Sequence, residues 1–131
     1  MIKFFAFAIL VSACALGPLE EQATPICARV DPSRTALGGH VTDNTPGLFA
    51  IDILAMNDNS VPLAQVGLQV HTDARPGVTA TFAGSPIVPT VTFAGGTTTI
   101  TFSDCALLTR AAGALHITVD ATASQQIITL Q

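Results

Sequence analysis

The chain has 131 residues, and the roughly 115 left after removal of a leader can bury about two-thirds of their unfolded surface, which implies one core and one domain. Five Lys+Arg stand against nine Asp+Glu, and Lys3 is the only lysine, so no basic patch exists to neutralise phosphates and no nucleic-acid partner is expected. Charged residues make up only 11% while Thr, Ala, Val and Gly abound; that balance fits a β-rich domain with hydroxyls on its outer surface better than a charge-laced helical one.

Met1-Ile2-Lys3 followed by FFAFAILVSACA places one positive charge before an apolar run and small residues, the layout of a secretory signal. The run from Phe4 to Leu16 is shorter than the ~20 residues a membrane-spanning helix needs, so residues 1–13 are expected to be processed rather than retained. Val11-Ser12-Ala13-Cys14 resembles the bacterial lipobox, in which small residues lead to a cysteine that is lipidated and becomes the mature N-terminus. The resemblance implies a thioether-linked lipid on Cys14, palmitate-type acylation and a bacterial outer-membrane or cell-surface location, because Ala15 rather than Asp follows the cysteine. Ala13-Cys14-Ala15 also fits an A-x-A site for ordinary secretion, in which Cys14 leaves with the leader and the product is secreted or periplasmic.

Once Cys14 is assigned to the lipid or the leader, Cys27 and Cys105 remain. An even remainder in an exported domain predicts a disulfide. Closing a loop of that length would contribute about 4 kcal/mol in the chain-entropy model. Two separately buried free thiols are the alternative. Residues 14–24, containing "ALGPLEEQAT", lack periodicity and read as a tether that at ~3.4 Å per residue reaches up to ~30 Å from a membrane surface.

Residues 25–131 form the predicted domain. "PICARV" (25–30) reads as a short strand, and "DPSRTALGGHVTDNTPG" (31–47) as a turn-rich connection long enough to be functional or to hide a further strand. From Leu48 the pattern has period two. "LFAIDILAM" is apolar but for Asp52. "QVGLQVH" sets Val66, Leu68 and Val70 against Gly67, Gln69 and His71. "VTATF" and "PTVTF" turn Val78, Ala80, Phe82, Val91 and Phe93 inward, "TTTITF" adds Ile100 and Phe102, and "ALHITVDAT" adds Leu115, Ile117 and Val119. Turn signals at about ten-residue spacing separate these segments, which predicts an all-β antiparallel sandwich of about seven strands. "TATFAGS" and "TVTFAGG" (79–85 and 90–96) echo each other and are expected on two strands of one sheet; "DCALLTRAAG" (104–113) reads as a strand end and loop or a short helical turn. "QQIITLQ" closes on a strand pattern, as a unit of a longer repeat protein would.

The order "FAIDILAMNDNSVPLAQVGLQVHTD", "VTFAGGTTTITF", "AAGALHITVDATA" resembles bacterial immunoglobulin-like domains of exported surface proteins over about residues 24–123. NDNS lacks the turn glycine of those domains, and the chain has no tryptophan. The resemblance implies an immunoglobulin-like sandwich used for adhesion, spacing or protein binding, with no catalytic apparatus and no cofactor.

Two candidate sites stand beside that reading. "AMNDNSVP" (55–62) is similar to a cadherin calcium linker, with Asn57, Asp58 and Asn59 as oxygen ligands, although calcium wants six to eight oxygens and a hairpin turn explains the same residues. His116 and Asp120 on one strand, with His71 on another, could bind a metal if they converged. A secreted calcium- or ligand-binding protein is therefore the alternative function. No G-x-S-x-G elbow, phosphate-cradling glycine loop or paired carboxylates are present, and flat Trp or Tyr platforms for sugars are lacking, so the chain is expected not to be an enzyme. The predicted partners are the membrane, through the lipid, and another surface protein.

Overall fold

The computed structural model describes residues 27–131; the signal segment, Cys14 and the tether lie outside the described residues. Eleven strands occur among the described residues: β1 Leu37–Thr45, β2 Leu48–Ala55, β3 Val61–Pro62, β4 Val66–Thr72, β5 Val78–Phe82, β6 Ser85–Ile87, β7 Thr90–Ala94, β8 Thr97–Thr101, β9 Leu107–Leu108, β10 Leu115–Val119 and β11 Ala123–Leu130. They form two antiparallel sheets, ordered β1-β2-β10-β5-β6 and β11-β4-β8-β7, with β3 and β9 pairing separately. The molecule is an all-β sandwich. The chain changes sheet between β2 and β4, β4 and β5, β6 and β7, β8 and β10, and β10 and β11, so β10 enters between β2 and β5, strands far from it in sequence.

The inward residues of the alternating segments build the core. Phe49, Ile51 and Ile53 of β2, Leu115, Ile117 and Val119 of β10 and Ala80 of β5 meet Val66, Leu68 and Val70 of β4 and Ile100 of β8, all buried. Val61, Leu63, Phe102 and Leu108 close one end. Each fully buried aliphatic side chain contributes roughly 1.5–3 kcal/mol relative to exposure, so this stripe supplies most of the folding drive.

The sheets hold nine strands rather than about seven, and the reasons are local. β1 occupies the expected connection 31–47: its inward residues are few, it contains Gly38-Gly39, and a bulge between Val41 and Asp43 breaks its period. Pro46-Gly47, with Gly47 at φ 86°, turns β1 into β2 as a Pro-Gly type II turn does. Gly39 serves close approach, because a Cβ there would meet the tips of Ile51 and of Ile128 on β11, where the two sheets meet along one side. "PICARV" forms no strand over its described residues Cys27–Val30, and residues 104–113 form β9 and a turn rather than a helix. The two echoing segments fall in different sheets. Their turns are one residue out of step: Ala83-Gly84 links β5 to β6, and Gly95-Gly96 links β7 to β8.

Candidate functional site

Three features gather at the end of the sandwich where the described chain begins. Cys27 is bonded to Cys105 across a sequence separation of 78, with Cα atoms 5.2 Å apart. The loop carrying Cys105 is itself pinned, since Leu63 N–H donates to Ala106 O (2.9 Å), Ala64 N–H to Asp104 O (3.0 Å), and Ala106 N–H to the Asp104 carboxylate (2.7 Å). The disulfide therefore ties the entering chain to a held loop.

Gln65, which ends a 3-10 turn over Leu63–Gln65, is only 2% exposed and supplies the second attachment. Its Oε1 accepts from Val30 N–H (2.8 Å), and its Nε2 donates to Val30 O (3.1 Å) and to Gln131 O (2.9 Å). Its backbone carbonyl accepts from Gln131 N–H (2.9 Å). One buried amide thus fastens both ends of the described chain at the same pole. Nothing in "PLAQV" marks this glutamine from sequence; only its place beside Val30 and Gln131 reveals it.

Arg34 makes the third attachment. It closes a 3-10 turn over Pro32–Arg34 capped by the Asp31 carboxylate, and its carbonyl accepts from the side-chain amides of both Asn57 (3.1 Å) and Asn59. Asn57 Oδ1 meanwhile accepts from Asn59 N–H (3.1 Å), a local brace of the kind Asn makes in tight turns. Asp58 points elsewhere, to an exposed pairing with Arg110 at 3.4 Å. The expected calcium ligands therefore diverge: two aim amide groups at a backbone carbonyl, and the lone carboxylate faces solvent.

The histidines separate likewise. His71 lies on β4 in one sheet and His116 on β10 in the other, and Asp120 lies beyond the end of β10 with its N–H bonded to Gly77 O (2.9 Å). The carboxylate that His116 meets is Asp52, opposite it on β2: Nδ1–H donates to Oδ1 at 2.5 Å. The His116 Nε2 shares a hydrogen bond with the Thr118 hydroxyl at 3.3 Å. His40 is opposite Asp52 on the other flank, so a His-Asp-His row crosses the outer face of the five-stranded sheet. Among the described residues no three His, Cys, Asp or Glu side chains are grouped to hold a metal ion. The carboxylate, imidazole and hydroxyl lie in that order on central strands of the five-stranded sheet. The two hydrogen bonds hold the His116 imidazole against the sheet. Asp52 was visible as the one acid in an apolar run; its partner, 64 residues away, was not.

Among the described residues no helix is long and apolar enough to cross a membrane. No protein-family model matches the chain, and a search of curated proteins finds no match either.

Proposed function

We propose that the chain is an exported, lipid-anchored structural or protein-binding module of the bacterial cell surface, held by Cys14 and displayed on the 14–24 tether. The observation that carries this reading is the Cys27–Cys105 disulfide, a linkage that forms and persists in oxidising compartments outside the cytoplasm and leaves Cys14 as the one cysteine for the lipid. The three attachments at the entry pole suit a tethered domain, because a pull on the tether meets a covalent link at Cys27 before it reaches the sheets. The motifs that resemble bacterial immunoglobulin-like domains fall on β2 to β4, β7 to β8 and β10, which supports a place for this sandwich among such domains. The reading assigns adhesion, spacing or docking and no catalysis.

Metabolic labelling with a radioactive or clickable palmitate tests it. The expected result is label on the parent chain in the membrane fraction and none on Cys14→Ala, which should accumulate as unprocessed precursor. Equal localisation of both variants, with no label on either, would leave a secreted protein without an anchor.

A further inference from the structure

The four sheet edges are unequally protected, and that inequality points to a partner. Natural sheets guard edges with bulges, prolines, charges or very short strands. β1 is bulged after Val41, carries Asp43 and packs at Gly39 against Ile128 of β11. β11 is bulged between Ser124 and Ile127, with Gln125 at φ 53°. β6 has three residues, the middle one Pro86. Within β7, Thr90-Val-Thr-Phe-Ala94, there is no charge, no proline and no bulge; Pro89 precedes its first residue, and Val88 before that is 86% exposed.

The hairpin turn decides which backbone groups of β7 are free. Gly95 and Gly96 both have positive φ (61° and 78°), as a two-residue type I′ turn requires. Ala94 and Thr97 flank that turn and so form a hydrogen-bonded pair; alternation then commits Thr92 and Thr90 to β8. The N–H and C=O groups of Val91 and Phe93 point away from the sheet, and no hydrogen bond among the described residues outside the ladders takes them.

We propose that β7 pairs antiparallel with β7 of a second copy of this chain, about a two-fold axis through Thr92. Self-pairing fits because the strand is complementary to itself in one register. With Thr92 opposite Thr92 of the partner, Val91 faces the partner's Phe93 in both halves, and all four outward N–H and C=O groups of each strand's Val91 and Phe93 find partners. The half-buried Val91 and Phe93 form two β-branched–aromatic pairs on the inner face, and threonines pair on the outer face, both favourable cross-strand combinations. The two four-stranded sheets become one sheet of eight. No like charges meet, because β7 carries none. This interface rests on the sheet edge and is independent of how the chain is held at the membrane.

Register-specific cysteine trapping tests it on the full exported chain, with the parent protein, which keeps Cys14, as background. Directly opposite residues of a non-hydrogen-bonded pair have Cα atoms about 4.5 Å apart, within disulfide range. Thr92→Cys should therefore give a covalent dimer on non-reducing gels. Thr90→Cys and Ala94→Cys alone should not, because each residue lies about 13 Å along the strand from its own copy, whereas the double variant Thr90→Cys/Ala94→Cys should crosslink again. Thr92→Lys should abolish dimer in sedimentation while leaving the melting of the domain unchanged at concentrations where the parent is monomeric. Equal crosslinking at 90, 92 and 94, no crosslinking at 92, or capture of a different protein by Thr92→Cys would each overturn the two-fold pairing.

Discussion

Replacing Gln65 by leucine keeps nearly the same volume at a buried position and removes only the amide. Three contacts are lost: the bond to Val30 N–H at 2.8 Å and those to the carbonyls of Val30 and Gln131 at 3.1 and 2.9 Å. A buried donor or acceptor left without a partner costs about 1–3 kcal/mol, but both carbonyls lie in partly buried surroundings where water can replace the amide. Counting the Val30 N–H in full and the carbonyls at a fraction gives about 2–3 kcal/mol. In a urea titration this appears as a lower midpoint with an unchanged slope, about 1–2 M for a domain of this size. The same loss should be smaller once the disulfide is gone, because Cys27 and Gln65 hold the same segment; Gln65→Leu combined with Cys105→Ala should cost at least 0.5 kcal/mol less than the sum of the two single changes. A Gln65→Leu midpoint within about 0.3 M of the parent, or strict additivity in the cycle, would refute the assignment of Gln65 as the clasp of the Val30 and Gln131 segments.

Three further outcomes follow from the packing. Cys105→Ala should lower stability by up to about 4.5 kcal/mol in the chain-entropy model, a fall in melting temperature on the order of 20 °C by calorimetry, since the bridge closes a loop with a separation of 78. Ala83→Asn should stabilise by about 0.5–1 kcal/mol in the same assay, because Ala83 sits at φ 51° ahead of Gly84 and Asn-Gly is the favoured pair for such a turn. Gly39→Val should cost about 1–3 kcal/mol in denaturant titration, as its side chain would drive into Ile51 and Ile128 where the sheets meet.

Strict alternation made β4, β5, β7, β8 and β10 legible, because burying one face of a sheet imposes period two on the residues themselves. The same logic hid β1: with two adjacent glycines, a bulge and only Leu37 and Val41 packed against the core, it carries too little period to stand out from its turns. The disulfide was readable once Cys14 was set aside with the lipid or the leader, because two cysteines then remain. The Asn57–Asn59 stretch was readable as a turn, and its residues brace the Arg34 carbonyl as turn asparagines do. Partners set by topology were not readable. Asp52 meets His116 only because β10 enters beside β2, and Gln65 meets Val30 and Gln131 only because the first and last described segments reach one pole. The echoing "TATFAGS" and "TVTFAGG" misled in the same way, since short similar sequences report strand and turn chemistry and not the sheet to which they belong.

The most direct test of the account is the intact mass of the full chain recovered from the membrane fraction of a bacterial host, measured with and without reductant. The expected product is a chain beginning at Cys14 with a diacylglyceryl and acyl addition, gaining the mass of two hydrogens when Cys27–Cys105 is reduced. A chain beginning at Leu16 in the soluble fraction would remove the anchor, and an unprocessed chain whose mass does not change on reduction would contradict the export on which the whole reading stands.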